Sequence, residues 1–324
     1  MTAFSQCSGT SLTNPTGGQA RWLHAVDSGH RKFLVGGHQH EAPCGHREFL
    51  RSAVVPAVRV GADHVACWLS SQNLGVSSGE ETLKGNVTIG VVRVGDTVRR
   101  PVGPWTETVD LLLEHLHAVG FTACPRPMGR DEQGRQVLEY VPGEIGAESG
   151  TYPATELYSI GRMLAHLHEA LASFVPPAGA MWNRIIVPDR EEMICHNDVA
   201  PWNLVRSDRG WVLIDWDAAA PGSRLWDLAY AAQSMAGLRA DRPVAQSAAR
   251  LRAFVDGYGL DDASRPALAV MLGRRARAMY DLLREGARQQ RQPWARIWTE
   301  DGSYSLATAD YLDAHSDAWR AGLE

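Results

Sequence analysis

The sequence predicts an α+β fold in which a small antiparallel sheet comes first and a mainly helical region follows, and three observations carry that prediction. Residues 82–100 alternate apolar and polar side chains around Gly95-Asp96, a two-residue hairpin signal. Leu157, Ile160, Leu164, Leu167 and Leu171 recur at helical spacing within 152–174, with polar residues between them. The remainder, 230–324, is helical by composition and period, for example over 268–291 and 306–323. Two lobes follow, an N-lobe over residues 80–142 and a C-lobe over 143–324.

Before residue 80 the pattern changes. Residues 1–79 hold three of the five cysteines and six of the twelve histidines, yet no helical or strand period persists there. They read as a poorly ordered extension, or as the product of a start codon assigned too far upstream, with the true start near Val76. His38, His40, Cys44 and His46 offer nitrogen and sulfur ligands, but their spacing matches no closed zinc site.

From residue 80 each element has a local reason. After the hairpin, 106–119 reads as a helix, Cys124-Pro125-Arg126-Pro127 as a rigid turn, and 135–141 as a strand that stops at Pro142, which cannot donate to a ladder. Asn203-Leu204-Val205-Arg206 and Trp211-Val212-Leu213-Ile214 have strand composition and flank the turn Ser207-Asp208-Arg209-Gly210.

Composition narrows the classes. With 44% hydrophobic and 21% charged residues the chain can bury a large core. A net charge of -5 provides no global attraction to nucleic acid or anionic membrane. No apolar run reaches the length of a signal core or a membrane span, so a cytoplasmic protein is expected. Five scattered cysteines suit reduced thiols rather than a disulfide framework.

The chemistry is concentrated in residues 194–217, ICHNDVAPWNLVRSDRGWVLIDWD. His196-x-Asp198 is followed after four residues by Asn203, and Asp215-Trp216-Asp217 closes the apolar run Val212-Leu213-Ile214. Phosphoryl transfer needs an acceptor hydroxyl held in line, a carboxylate near its proton, and oxygen ligands for magnesium. Asp198 suits the carboxylate, and Asn203 and Asp215 suit the metal. The predicted hairpin between them folds both metal ligands back beside Asp198. His196, at the base of the loop, suits orientation of the backbone better than proton transfer. Cys195 reads as packing behind the loop.

At these residues the chain resembles the aminoglycoside phosphotransferase and choline kinase-like family. The catalytic segment of that family is His-x-Asp, four residues, Asn, and its metal segment is Asp-Trp/Phe-Asp/Glu. Protein kinases share the plan with His-Arg-Asp and Asp-Phe-Gly, where this chain has Asn197 and Trp216-Asp217, so a small-molecule kinase is favoured over a protein kinase. The resemblance spans about residues 80–324 and implies a two-lobed protein kinase-like fold with ATP, or another nucleoside triphosphate, and Mg2+ between the lobes.

The resemblance assigns further residues. The loop from Gly85 to Gly90, with Asn86 and Thr88, lies over the nucleotide, its glycines letting backbone amides approach phosphate. Arg99 takes the place of the strand residue that touches the α- and β-phosphates, held by Glu107 or Asp110, or else by another acid or by nucleotide alone. The main chain of Glu139 and Val141 contacts the adenine edge. Asp217 supports the metal segment, and Asp227, in Leu225-Trp226-Asp227-Leu228-Ala229, braces the catalytic loop. The C-terminal helices build the acceptor pocket.

The reading is thus a magnesium- and ATP-dependent phosphotransferase acting on a hydroxyl of a small molecule, with neither nucleic acid nor membrane as partner. A second class is a binding or immunity protein on the same scaffold, similar to the trifolitoxin immunity proteins. Retention of Asp198, Asn203 and Asp215 together favours turnover. Arginines on the C-terminal helices, Arg274, Arg275, Arg277, Arg284, Arg288 and Arg291, disfavour a polycationic acceptor such as an aminoglycoside.

Overall fold

A computed structural model describes residues 79–83, 87–146 and 151–324. The readings of residues 1–78, with the histidine and cysteine cluster, and of Gly85 and Asn86 lie outside the described residues. β1 (Glu81–Thr82), β2 (Val92–Val94) and β3 (Thr97–Arg100) are antiparallel neighbours, and Val94 faces Thr97 across the Gly95-Asp96 turn. The alternating run at 82–92 yields less strand than its period predicts. Val87 and Ile89 are exposed, and Gly90 has φ +84°, a left-handed backbone that leaves the sheet.

α1 (Thr106–Ala118) buries Val109, Leu112, Leu113 and Leu116, the i, i+3, i+4, i+7 stripe of an amphipathic helix. β4 (Pro127–Arg130) and β5 (Gln136–Glu139) complete a five-stranded sheet in the order β1-β2-β3-β5-β4. The N-lobe is therefore one antiparallel sheet and one helix.

β6 (Glu144–Ile145) opens the C-lobe and α2 (Ala154–Leu171) is its central helix. Leu157, Ile160, Leu164, Leu167 and Leu171 are all buried, as their spacing predicts. Truncating a leucine such as Leu164 to alanine would cost about 2–5 kcal/mol. β7 (Met193–Cys195) pairs with β10 (Ala220–Gly222), while β8 (Leu204–Ser207) and β9 (Gly210–Leu213) form the predicted hairpin and continue onto β6.

α3 (Arg224–Ala236), α4 (Val244–Tyr258), α5 (Arg265–Arg288), α6 (Trp294–Ala314) and α7 (Ser316–Leu323) follow. The segment predicted as one helix over 306–323 is broken at His315, where α6 ends and α7 begins, both packed on α5. α3 starts at Ser223, whose hydroxyl accepts from the Trp226 amide at 3.1 Å, and ends at Gly237 with φ +62°. α2 and α4 approach through a glycine pair. A Cβ on Gly161 would lie 2.1 Å from the Phe254 carbonyl oxygen, and one on Gly257 would lie 2.0 Å from that of Tyr158. A continuous apolar core runs from α1 through α2 and α3 to α5 and α7. No helix among the described residues is long and apolar enough to cross a membrane.

Candidate active site

β7 delivers the chain into the turn that carries Asp198. His196 is fully buried, and its ring sits edge-on to Trp216 with centroids 4.6 Å apart. Its Nε2–H donates to the Ile214 carbonyl at 3.2 Å and its Nδ1 accepts the Asp198 amide at 3.2 Å. Burial holds its pKa below the usual imidazole value, so the ring is a neutral brace tying the two halves of the site together.

Asn197, where protein kinases carry arginine, has φ +64°. Its side-chain amide donates to the carbonyls of Cys195, Ala218 and Ala220, at 3.4, 3.3 and 3.2 Å. Asp227 of α3 receives the backbone amides of His196 at 3.2 Å and Asn197 at 2.8 Å. It also accepts from His168 Nε2 of α2 at 3.1 Å, and the other ring nitrogen of His168 meets the Tyr258 hydroxyl at 2.8 Å. These contacts outweigh the burial that opposes its charge, and Asp227 titrates below the usual carboxylate range.

His168, Cys195 and Asp227 place their ligand-type atoms within 4.8 Å of one another. Both Asp227 oxygens are already occupied by N–H donors, and burial pushes the Cys195 thiol up. The cluster is a hydrogen-bonded support for the loop.

Asp198 is partly buried, and its Oδ2 accepts from Asn203 Nδ2 at 2.7 Å. The same amide nitrogen donates to the Asp198 carbonyl at 2.9 Å, so the Asn203 oxygen is left for another partner. Loss of water, then the negative charge of Asp215, push the Asp198 carboxyl up to about 7; Asn203, the Tyr230 hydroxyl and Arg275 act in the opposite direction. A carboxylate of that basicity is matched to accepting a proton near neutral pH.

The hairpin closes the metal side. The Ile214 amide donates to the Asn203 carbonyl at 2.8 Å, so Asp215, next in the chain, stands beside Asn203. Asp215 has φ +58° and a side chain with 39% of its area exposed. An amide oxygen and a carboxylate so placed are the hard donors that magnesium takes. Asp217 is committed elsewhere: its oxygens receive Arg100, Trp105 Nε1 at 3.1 Å and the Thr88 hydroxyl at 3.4 Å.

Arg99 is not at this site. Strand residues alternate between faces, and Arg99 points away with its Nε 3.6 Å from Asp131, while Arg100 faces the carboxylates. Arg100 is 6% exposed and donates to Asp215 at 3.1 Å and to Asp217. Burial opposes its charge, but Asp215 and Asp217 outweigh it and raise the arginine's pKa. Neither acid named for Arg99 pairs with it. Asp110 accepts from Arg130 at 2.6 Å and from Gln136 at 2.5 Å, and Glu107 is exposed.

In the strand joining the lobes, the Glu139 amide donates to the Arg126 carbonyl at 2.9 Å, and Arg209 holds its carboxylate at 3.0 and 3.2 Å. Val141 packs with Val205 and Val212. Of the C-terminal arginines, Arg277 pairs with Asp310 and Asp313, Arg284 with Asp281 and Arg288 with Glu285. Arg275 is buried. Arg274 and Arg291 are exposed. Arg100, Trp105, Tyr230 and Arg275 carry no local signal that reveals their part in the site.

The model of the phosphotransferase enzyme family matches residues 179–269, which contain the whole segment from His196 to Asp227. The chain is 36% identical over 200 residues to the trifolitoxin immunity protein of Rhizobium leguminosarum bv. trifolii, covering 57% of this chain and 76% of that protein. Its fold is similar to that of a choline/ethanolamine kinase family protein from Mesorhizobium loti, with TM-score 0.51 and 15% identity over 76% of this chain and 94% of the other. It is also similar to an amicoumacin kinase in complex with AMP-PNP, Ca2+ and Ami, with TM-score 0.54 and 11% identity over 73% and 89% of the two chains. At these identities the likeness is one of fold.

Proposed function

This chain belongs to the phosphotransferase enzyme family, and from that premise we propose that it moves the γ-phosphoryl group of ATP to a hydroxyl of a small molecule with magnesium bound. The observation that carries the reading is the Asp198 carboxylate, held by Asn203 at 2.7 Å, with the hairpin setting Asp215 next to Asn203. Asp198 accepts the proton of the acceptor hydroxyl as that oxygen bonds to the γ-phosphorus and the bond to the bridging oxygen breaks, leaving ADP. Asn203 and Asp215 hold the metal, which when bound offsets charge on the phosphate oxygens. Arg100 and Trp105 hold Asp217 in place, and Arg100 is the strand cation that meets phosphate. Thr88 and Gly90 cover the phosphates, and the main chain of Glu139 and Val141 holds the adenine edge.

A second reading is favoured by the immunity relative: a scaffold that binds nucleotide or another ligand without turnover. Purified protein with Mg-ATP is screened for ADP release against aminoglycosides, choline, ethanolamine, sugars and homoserine, with Asp198→Asn alongside. Acceptor-dependent ADP release that Asp198→Asn lowers by roughly a hundredfold or more supports the kinase. Nucleotide binding with identical background in both proteins, and no acceptor, favours the binding protein.

A further inference from the structure

Arg275 lies in the middle of α5, far in sequence from every motif of the site, and is 2% exposed. Its Nη2 donates to the carbonyl of Asn197, the residue before the candidate base, at 3.2 Å. The guanidinium carbon lies 4.4 Å from the centroid of the Tyr230 ring and 5.2 Å from that of Trp226, both on α3. Nε and Nη1 have no hydrogen-bond partner and are buried. A guanidinium tolerates this because its planar face is attracted to aromatic rings and it is weakly hydrated. Burial still lowers its pKa, while Tyr230 and Asp198 favour its charge.

An ordinary core position would not retain a charged group under these conditions, since an apolar side chain of the same volume is often neutral or better for stability. The two groups Arg275 organises both lead to Asp198. The Asn197 carbonyl belongs to the peptide that carries Asp198, and the Tyr230 hydroxyl acts on the Asp198 carboxyl, favouring its charged form. Asp227 and His196 fix the amide side of the same turn. The carbonyl side is fixed by Arg275.

We propose that Arg275 is a positioning residue for phosphoryl transfer: its guanidinium, seated between Trp226 and Tyr230, anchors the Asn197 carbonyl and the Tyr230 ring and so aims the Asp198 carboxylate at the acceptor. This rests on the phosphotransferase reading. Lysine keeps the charge but not the planar fork, so it restores the charge without the full clamp.

The test compares wild type, Arg275→Met and Arg275→Lys in two measurements. The first is magnesium-dependent ATP hydrolysis with water as acceptor. Arg275→Met should lower kcat at least tenfold with the KM for ATP within twofold of wild type, and Arg275→Lys should recover part of the loss. A merely structural role would reduce soluble protein or raise KM without that split. The second is amide hydrogen exchange, in which Arg275→Met should speed exchange of the Asn197 and Asp198 amides at least tenfold and leave the β-sheet and α1 unchanged. Unchanged kcat in Arg275→Met overturns the proposal. Where water does not serve, the same kinetics are read with the acceptor found in the screen; if wild type releases no ADP with any acceptor, the phosphotransferase reading fails, and exchange then decides: faster exchange confined to the loop supports the anchor, and unchanged exchange overturns it.

Discussion

Arg100 Nη2 donates to Asp215 Oδ1 at 3.1 Å and joins β3 of the N-lobe to the segment after β9 across 115 positions of sequence. The same nitrogen reaches Asp217, so one buried cation serves two carboxylates. In the protein-kinase plan the strand cation is paired with a helix glutamate. Here Asp110 of α1 pairs with Arg130 and acts on Arg100 only at longer range, and the metal segment itself is the ion-pair partner.

Replacing Arg100 with methionine should therefore be far more damaging than replacing its neighbour. Breaking a fully buried pair costs about 3–5 kcal/mol, and the loss here should be smaller because Asp215 keeps solvent access. Arg99→Met loses a hydrogen bond to the Thr97 hydroxyl on the same strand and a partly exposed contact to Asp131, which Arg135 also holds at 2.7 Å, so it should cost about 0–1 kcal/mol. Urea denaturation of the two variants checks the order. Equal midpoints would sink this account of the strand.

Asp198→Asn should lower turnover and raise stability together. The folded carboxyl titrates near 7, above its unfolded value, so the folded state binds more protons between the two. Stability is then fully present below the unfolded pKa and is lost as pH rises through about 7. Asparagine carries no charge to bury, so in EDTA at pH 8 the variant should melt a few degrees above wild type, and the gap should shrink toward pH 5. Thermal melts across that range check it, and a variant that melts lower at pH 8 contradicts it.

Asp227 has the opposite sign. Its folded pKa lies below the unfolded value, so its contribution is fully present above the unfolded pKa and is lost as pH falls through the folded one. Asp227→Asn should be destabilised by a constant amount from pH 5 to 8, with the deficit closing only in strong acid. Its turnover should fall with the KM for ATP little changed, because it touches the loop and not the nucleotide. Urea melts at pH 3, 5 and 8 with steady-state kinetics separate these outcomes.

The boundary expected from the sequence, near residue 80, yields a prediction about length. A chain of residues 76–324 with an added methionine should be soluble and should keep the rise in melting temperature given by Mg-ATP in the full chain. An insoluble product, or loss of the nucleotide-induced rise, would move the domain boundary upstream.

The sequence by itself determined most of the elements and which residues its central hairpin brings together. Period two around Gly95-Asp96, period 3.6 along α2, and turn chemistry at Ser207-Asp208-Arg209-Gly210 are local properties, and each formed where it was read. That Asp198, Asn203 and Asp215 come close together was legible for the same reason, since a short loop and a tight hairpin fix their neighbourhood along the chain. Only the tertiary structure decided what meets them from elsewhere. Whether Arg99 or Arg100 faces the carboxylates depends on which face of β3 the C-lobe covers, and two adjacent arginines look alike in sequence. Tyr230 and Arg275 reach the loop through the packing of α3 and α5, with Arg275 bonded to a carbonyl 78 positions away. No local pattern encodes that contact, because it is set by how helices pack side by side and not by the spacing of residues within either one.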